Sequence, residues 1–445
     1  MKTWITEKDQ QKAIQAIERM VAIPSYLQEK EAGAPFGEDV LSALKEALQI
    51  FKEEGFTTYI DPEGYYGYAE IGQGDDTLAV LCHLDVVPAG DLSKWNTDPF
   101  QAEIIDGCIV GRGTQDDKGP TFATLYALKA ILNQGYTLNK KIRFIFGTDE
   151  ENLWRCMAKY NEKEPKAAMG FAPDADFPVI YAEKGLTQCY ADAPAVQGYS
   201  FSGGDALNVV PDKATYQGDK ADEIAIELDR LGYAYEKVQP GTIEVFGKAV
   251  HSKDAPEGVN AIMCLAQAMA PFYDDPAVQL LGSFLTDDGH ATALLGDVRD
   301  EASGELTVNF ATISSDENGT TLGIDLREPV TIDHEALIQK LSDGLQAHGM
   351  TYRYFDYLAP LYVPKDSHLV QTLTGVYQEV TGEKDEPMVS GGATFARTME
   401  NCVAFGAMFK DSITLEHQPN EAWNLAEMKK AMEIYAEAFL RLCVQ

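Results

Sequence analysis

An apolar run, Thr77-Leu78-Ala79-Val80-Leu81-Cys82, ends on His83-Leu84-Asp85 and a turn, Val87-Pro88-Ala89-Gly90. Such a run bounded by turn residues reads as a buried strand that stops in a loop. Along an extended chain residues i and i+2 point the same way, so His83 and Asp85 share a face at the strand's end. An imidazole beside a carboxylate suits a metal ligand, because the carboxylate can fix the ring tautomer and raise its basicity. Alone, the stretch reads more readily as the polar end of a strand with a solvated His, so the rest of the chain decides.

The surrounding pattern alternates strands with helices. Thr6 is placed to cap a helix through Ile14, Ile17 and Val21, with Pro24 just beyond it. A second amphipathic helix is expected over residues 38–54, with Leu41, Leu44, Leu48 and Phe51 on one face and Gly55 as its stop. Strands are expected near 65–71, 77–82 and 141–146, and helices over 119–133 and near 153–160. Short apolar pieces follow at 169–172 and 179–182. This order predicts an α/β sheet with helices on its faces and ligand-bearing loops at the strands' C-terminal ends. From Leu186 to about Tyr362 the texture changes to mostly strands, with helices near 222–231, 258–269 and 334–347. The cadence β-α-β-β-α-β predicts a ferredoxin-like insert. Helices then return at 367–380 and 425–442, around a Gly-rich turn and a strand over 403–409.

At 445 residues the chain exceeds the usual size of one core, so at least two domains are expected. A net charge of -34 repels phosphate backbones and argues against nucleic-acid binding. The seven cysteines are scattered, with no CxxC pair, which argues against a disulfide framework or a thiolate zinc site. Cys82 reads as a small buried apolar residue. The N-terminus has no apolar signal region and no stretch approaches a membrane span, so the expectation is a cytoplasmic protein without a membrane partner.

Four more acid or histidine positions sit at element ends. Asp116 lies in Gly111-Arg112-Gly113-Thr114-Gln115-Asp116-Asp117-Lys118-Gly119. Glu150 and Glu151 follow the strand at 141–146, in Gly147-Thr148-Asp149-Glu150-Glu151. Asp174 lies in Ala172-Pro173-Asp174-Ala175, and His417 in Leu415-Glu416-His417-Gln418-Pro419-Asn420-Glu421. One such group by itself is usually a cap or a turn. Five at strand ends of one sheet would converge on one edge, where clustered carboxylates repel unless a cation holds them. Two histidines and three carboxylates, one shared, supply three contacts to each of two zinc ions, and a water between the ions would lose its proton near neutral pH. Glu150 and Glu151 point apart on an extended chain, so one can bind metal while the other serves as general base.

These motifs resemble, in order and over nearly the whole chain, the di-zinc aminoacylase, carboxypeptidase and dipeptidase family, which includes acetylornithine and succinyl-diaminopimelate deacylases and carnosinase-type dipeptidases. The stretch from Gly111 to Pro120, Gly247-Lys248-Ala249-Val250-His251-Ser252 and the His417 stretch most resemble the bacterial PepV-type dipeptidase branch. The resemblance implies that His83, Asp116 and Asp174 hold one zinc, and that Asp116, Glu151 and His417 hold the other. It implies that Asp85 orients His83, that Glu150 is the general base, and that the Asp116–Asp117 peptide is cis. His251, by itself a strand-end surface histidine, resembles a lid residue that stabilises the oxyanion. Asn208, otherwise a turn residue before a proline, resembles a second lid contact. Arg327, otherwise a solvated charge, resembles the residue that takes the substrate's free carboxylate. Gly391 and Gly392, otherwise an ordinary turn, resemble the backbone that meets the same carboxylate.

The expected fold is therefore α/β: a mixed-sheet zinc-exopeptidase catalytic domain, a phosphorylase/hydrolase-like sandwich, with an inserted α+β ferredoxin-like lid. Residues 1–186 and 363–445 would form the catalytic domain and 187–362 the lid. The expected function is hydrolysis of unblocked dipeptides by a monomer with two Zn2+, with Co2+ or Mn2+ accepted by the same ligands. The alternatives are an N-acyl-amino-acid deacylase on the same site and a non-catalytic metal-dependent binding protein.

Overall fold

In the computed structural model, which describes residues 3–284 and 288–444, the strand Thr77–His83 lies inside a mixed sheet. It pairs in parallel with Lys141–Gly147 on one side, His83 opposite Gly147, and with Met169–Ala172 on the other. Cys402–Ala404 continues the parallel set beyond Met169–Ala172. Gly67–Ile71 and then Thr57–Ile60 extend the opposite side as antiparallel strands. Leu78, Ala79, Val80 and Leu81 are all fully buried, because the strand is covered on both faces. Four neighbouring parallel strands thus bring their C-terminal ends to one edge, where an α/β sheet presents its loops.

The helix Lys118–Asn133 packs on this sheet and against the helices Glu7–Val21 and Leu425–Cys443. It is wrapped nearly all round, and all but three of its sixteen residues are buried. Its start is fixed by close approach: a Cβ on Gly119 would sit 1.9 Å from the Thr114 carbonyl oxygen. The helix Glu7–Val21 begins as its sequence predicts, with the Thr6 hydroxyl accepting from the Asp9 amide and the Asp9 carboxylate accepting from the Thr6 amide.

The chain divides into two compact units: Met1–Tyr181 with Tyr362–Met388 and Ala393–Gln445, and Ala182–Leu361 with Val389–Gly392. The second unit is built on an eight-stranded antiparallel sheet. Its long hairpin, Thr307–Asp316 and Gly319–Glu328, pairs on its outer sides with Tyr199–Gly203 and Gly185–Ala193. One apolar core joins Ile243, Val245, Ile324 and Leu326 of the sheet to Ile224, Leu228, Leu265, Met269, Leu341 and Leu345 of the helices Ala221–Leu231, Ala261–Met269 and His334–Ala347. The strand Thr351–Leu358 adds an edge that the apolar pattern did not announce, since Tyr354 and Phe355 are exposed on it.

One expected element is split. The strand predicted over 403–409 is two pieces: Cys402–Ala404 in the main sheet and Ala407–Met408 paired with Ala175–Asp176. The chain turns at Gly406, with φ 72°, where a Cβ would lie 2.2 Å from the Phe177 ring. Hydropathy reads both pieces as one run because both are buried. All seven cysteines are free. Among the described residues no helix is long and apolar enough to cross a membrane.

Candidate functional site

The edge of the first unit's sheet gathers the five strand-end groups. His83 ends its strand with its side chain 1% exposed. Its Nε2 lies 2.7 Å from Oδ1 of Asp116 and 3.7 Å from Oδ2 of Asp174. His417 comes from the other direction: its Nε2 lies 2.9 Å from Oδ2 of Asp116 and 3.0 Å from Oε2 of Glu151. Asp116 therefore turns one oxygen to each histidine. Two donor groups result, His83-Asp116-Asp174 and Asp116-Glu151-His417, each with its ligand atoms within 4.8 Å of one another. The Asp116–Asp117 peptide is cis.

The electrostatics of this edge favour a cation. Burial and the Asp116 charge push Glu151 up to about 7. Burial, with Asp174, Glu151 and Asp116 nearby, lifts Glu150 well above the usual carboxylate range despite the opposing His83. Hydrogen bonds to Asp116 and Glu151 raise His417 to about 11. Crowded carboxylates are being relieved by protons, the relief a divalent ion would give better. Imidazole nitrogen and carboxylate oxygen are donors that zinc, cobalt and manganese accept. The residues present thus fit a pair of divalent ions.

Asp85 acts differently from its expected role. The His83 Nδ1 lies 2.9 Å from the backbone carbonyl of Asp85, while the Asp85 carboxylate is 3.7 Å away. A donated Nδ1 proton leaves Nε2 facing Asp116, so the tautomer is set by backbone. The Asp85 carboxylate instead accepts the amides of Glu150 and Glu151, each at 3.1 Å. It thereby ties the loop bearing the two glutamates to the strand bearing His83. Trp154, in a left-handed conformation with φ 55°, donates its indole N–H to the Glu150 carbonyl at 2.7 Å and secures the other end of that loop.

Further groups hold the ligands without touching the cluster's centre. Asp117 accepts from the His83 amide at 3.1 Å and from the Thr121 hydroxyl. Glu421 is fully buried and accepts from the amides of Gly113, Gln115 and Asp116, and from Nη1 of Arg112 at 2.7 Å. Gln115 donates to the Ile413 carbonyl and accepts from the Leu415 amide. Sequence reasoning passed over Gln115, Asp117, Trp154 and Glu421. The first two and the last lie inside motif stretches, so adjacency to a ligand was the available signal.

The second unit carries the remaining expected residues. His251 and Val209 form an antiparallel bridge, and the Ser252 amide donates to the Asn208 carbonyl, so His251 and Asn208 lie on neighbouring segments. The His251 Nδ1 accepts from the Lys253 amide at 3.1 Å, which leaves the ring proton on Nε2. Partial desolvation, with Arg327 and Lys253 nearby, lowers the His251 pKa and keeps the ring neutral. Arg327 is buried rather than solvated. Its Nε and Nη2 grip Asp325 at 2.7 and 3.1 Å, and Nη1 donates to the Gly391 carbonyl at 2.8 Å. All three guanidinium nitrogens of Arg327 thus already have a partner. The Gly392 amide donates to the Ser390 hydroxyl.

Comparison with known proteins agrees with this architecture. Residues 79–441 match the sequence profile described as Peptidase family M20/M25/M40. The chain is 37% identical over 454 residues to a Bacillus subtilis (strain 168) protein named "Putative dipeptidase YtjP", covering 96% of each chain. It is 35% identical over 458 residues to "Putative dipeptidase MW1694" of Staphylococcus aureus (strain MW2), covering 97% of each. Its fold matches human carnosine dipeptidase 1 with a TM-score of 0.59 at 16% identity, over 98% of this chain and 96% of that one.

Proposed function

Because the chain belongs to Peptidase family M20/M25/M40 and is a metal-dependent peptidase, we propose that it hydrolyses unblocked dipeptides at the His83–His417 edge of its first unit. The observation that carries the reading is Asp116, whose two oxygens face His83 at 2.7 Å and His417 at 2.9 Å. His83, Asp116 and Asp174 would hold one Zn2+, and Asp116, Glu151 and His417 the other. Such ions supply a Lewis acid for the peptide carbonyl and lower the pKa of the attacking water.

The chain's own groups do the rest. Glu150, held at its amide by Asp85 and at its carbonyl by Trp154, takes the attacking water's proton and passes it to the leaving nitrogen. His251, whose neutral ring carries its proton on Nε2, is assigned to the oxygen on which negative charge develops, and Asn208 to a further substrate contact. Arg327 and the Gly391-Gly392 backbone are assigned to the substrate's free carboxylate. The relatives named as dipeptidases support this substrate class over acylated amino acids.

The test is a side-by-side assay of alanyl and β-alanyl dipeptides against the matching N-acetyl amino acids, on metal-stripped protein reloaded with Zn2+, Co2+ or Mn2+. Dipeptide hydrolysis restored by metal is expected. Exclusive cleavage of the acetylated compounds would overturn the dipeptide reading in favour of a deacylase. Absence of hydrolysis with every metal and both substrate classes would overturn the catalytic reading itself.

A further inference from the structure

Two segments far apart in sequence grip each other beside the donor cluster. The loop Gly113–Asp116 brings the shared ligand, and the segment from Ile413 to Glu421 brings His417. Glu421 reaches from the segment to the loop. Its Oε1 accepts from the amides of Gln115 at 2.8 Å and Asp116 at 3.2 Å, its two oxygens share the Gly113 amide at 3.1 Å, and Arg112 neutralises it. Gln115 reaches back from the loop to the segment. Its Nε2 donates to the Ile413 carbonyl at 2.8 Å and its Oε1 accepts from the Leu415 amide at 2.7 Å. Gln115 on the loop is 5% exposed, while Ile413 on the segment it reaches is 74% exposed.

The need for such a clasp follows from how His417 is presented. His83 ends a strand whose neighbours on both sides are hydrogen-bonded to it. His417 has no such support: it sits in a loop with φ 63°, with Asn420 at φ 62° three residues on. A non-glycine residue in the left-handed region persists only where the surroundings hold it there. The segment is held on both sides of His417: before it, the Leu415 amide donates to the Gln115 side chain; after it, the Asn420 side chain accepts from the Asn96 amide and donates to the Lys94 carbonyl, and the Glu421 carbonyl accepts from the Gly111 amide.

We propose that Gln115 is a positioning residue that sets the spacing between Asp116 and His417, and so the affinity of the His417-side metal site, while Glu421 positions Asp116 for both sites. This inference rests on the two-ion reading above. Groups that orient metal ligands without touching the ion commonly govern affinity by about 10–100-fold. The two residues differ in reach. Gln115 holds only the segment that serves the second triad. Glu421 fixes the loop whose aspartate belongs to both.

The experiment titrates metal-free wild type, Q115A and E421Q with Zn2+ by calorimetry, and reads occupancy at each site from anomalous diffraction of metal-soaked crystals. Q115A is expected to stay folded, because the carbonyl and amide it abandons lie on an exposed segment that water can reach. It should weaken the His417-side ion about 10–100-fold and leave the His83-side ion within about threefold. E421Q should weaken both. A purely structural role would lower the metal-free melting temperature and weaken both sites together in Q115A, which would overturn the proposal. Two ions bound by Q115A with wild-type affinities would also overturn it, leaving the two-ion reading intact. A wild-type chain that takes up one ion or none would overturn that reading, and this inference with it.

Discussion

The two triads share Asp116, yet they are built on opposite principles. The His83 side stands on strand ends, where the ladder of a parallel sheet fixes the backbone before any side chain is considered. The His417 side stands on a loop that depends on Gln115, Asn420 and Glu421 for its shape. Their exposures differ accordingly: the His83 side chain is 1% exposed and that of His417 52%. A sheet edge can supply one rigid half of a metal centre cheaply, and the other half must then be brought to it.

The largest effects should come from removing one histidine on each side. His83→Ala and His417→Ala should each lose one ion and turnover with it. They should differ in chelated protein, where His83→Ala strands the buried Asp85 carbonyl, a penalty of about 1–3 kcal/mol at any pH, whereas His417→Ala removes the cation between Asp116 and Glu151, a half-exposed contact whose loss shrinks as pH rises toward the raised His417 pKa. Denaturant unfolding in chelator checks this, and equal losses would erase the distinction between the two sides. Glu150 belongs to neither triad. Glu150→Ala should keep both ions, measured by metal content, and lower kcat by about 10²–10⁴-fold. Near-normal turnover in metal-replete protein would remove Glu150 from the proposed chemistry.

A smaller effect tests the seam between strand and loop. Asp85→Asn keeps the backbone carbonyl that meets His83 but weakens the grip on the Glu150 and Glu151 amides. It should lower kcat by about 10–100-fold with the His83-side ion retained. Loss of that ion instead would restore the carboxylate as the partner of His83. The smallest effect lies in the second unit. Lys253→Ala should move the His251 titration upward toward 6.5, read by NMR of the ring protons, because one of the charges holding it down is gone. In the folded chain His251 stays neutral where the unfolded chain would take a proton. Its contribution to stability is therefore whole above about 6.5 and declines as pH falls below that.

The difference between the two sides also explains what could be read beforehand. His83, Glu151 and Asp174 were legible because each closes an apolar run, and a run's end predicts where a loop begins. His417 is legible through its motif, since it lies in a loop well past the strand before it, Ala407–Met408. Gln115 and Glu421 were not, because their partners are backbone groups of a distant segment and leave no mark on local pattern. For Asp85 the residue is legible but not the atom that meets His83, since sequence cannot tell a carbonyl from a carboxylate on one residue. The split at Gly406 escaped because burial is uniform across it, while the break depends on the Phe177 ring. By itself Arg327 reads as a solvated charge because its partner, Asp325, is two residues away on the same strand, where the pair reads as alternating charge.

The first unit is assembled from pieces that lie before, between and after those of the second in the sequence. On a ribosome this sets an order of events. His83, Asp116 and Asp174 have all been synthesised long before the residues of the second unit are finished. The sheet still lacks Cys402–Ala404 at that moment, and His417 and Glu421 are still to follow. A nascent chain therefore carries one donor group, His83-Asp116-Asp174, for about 240 residues of synthesis before it carries the other.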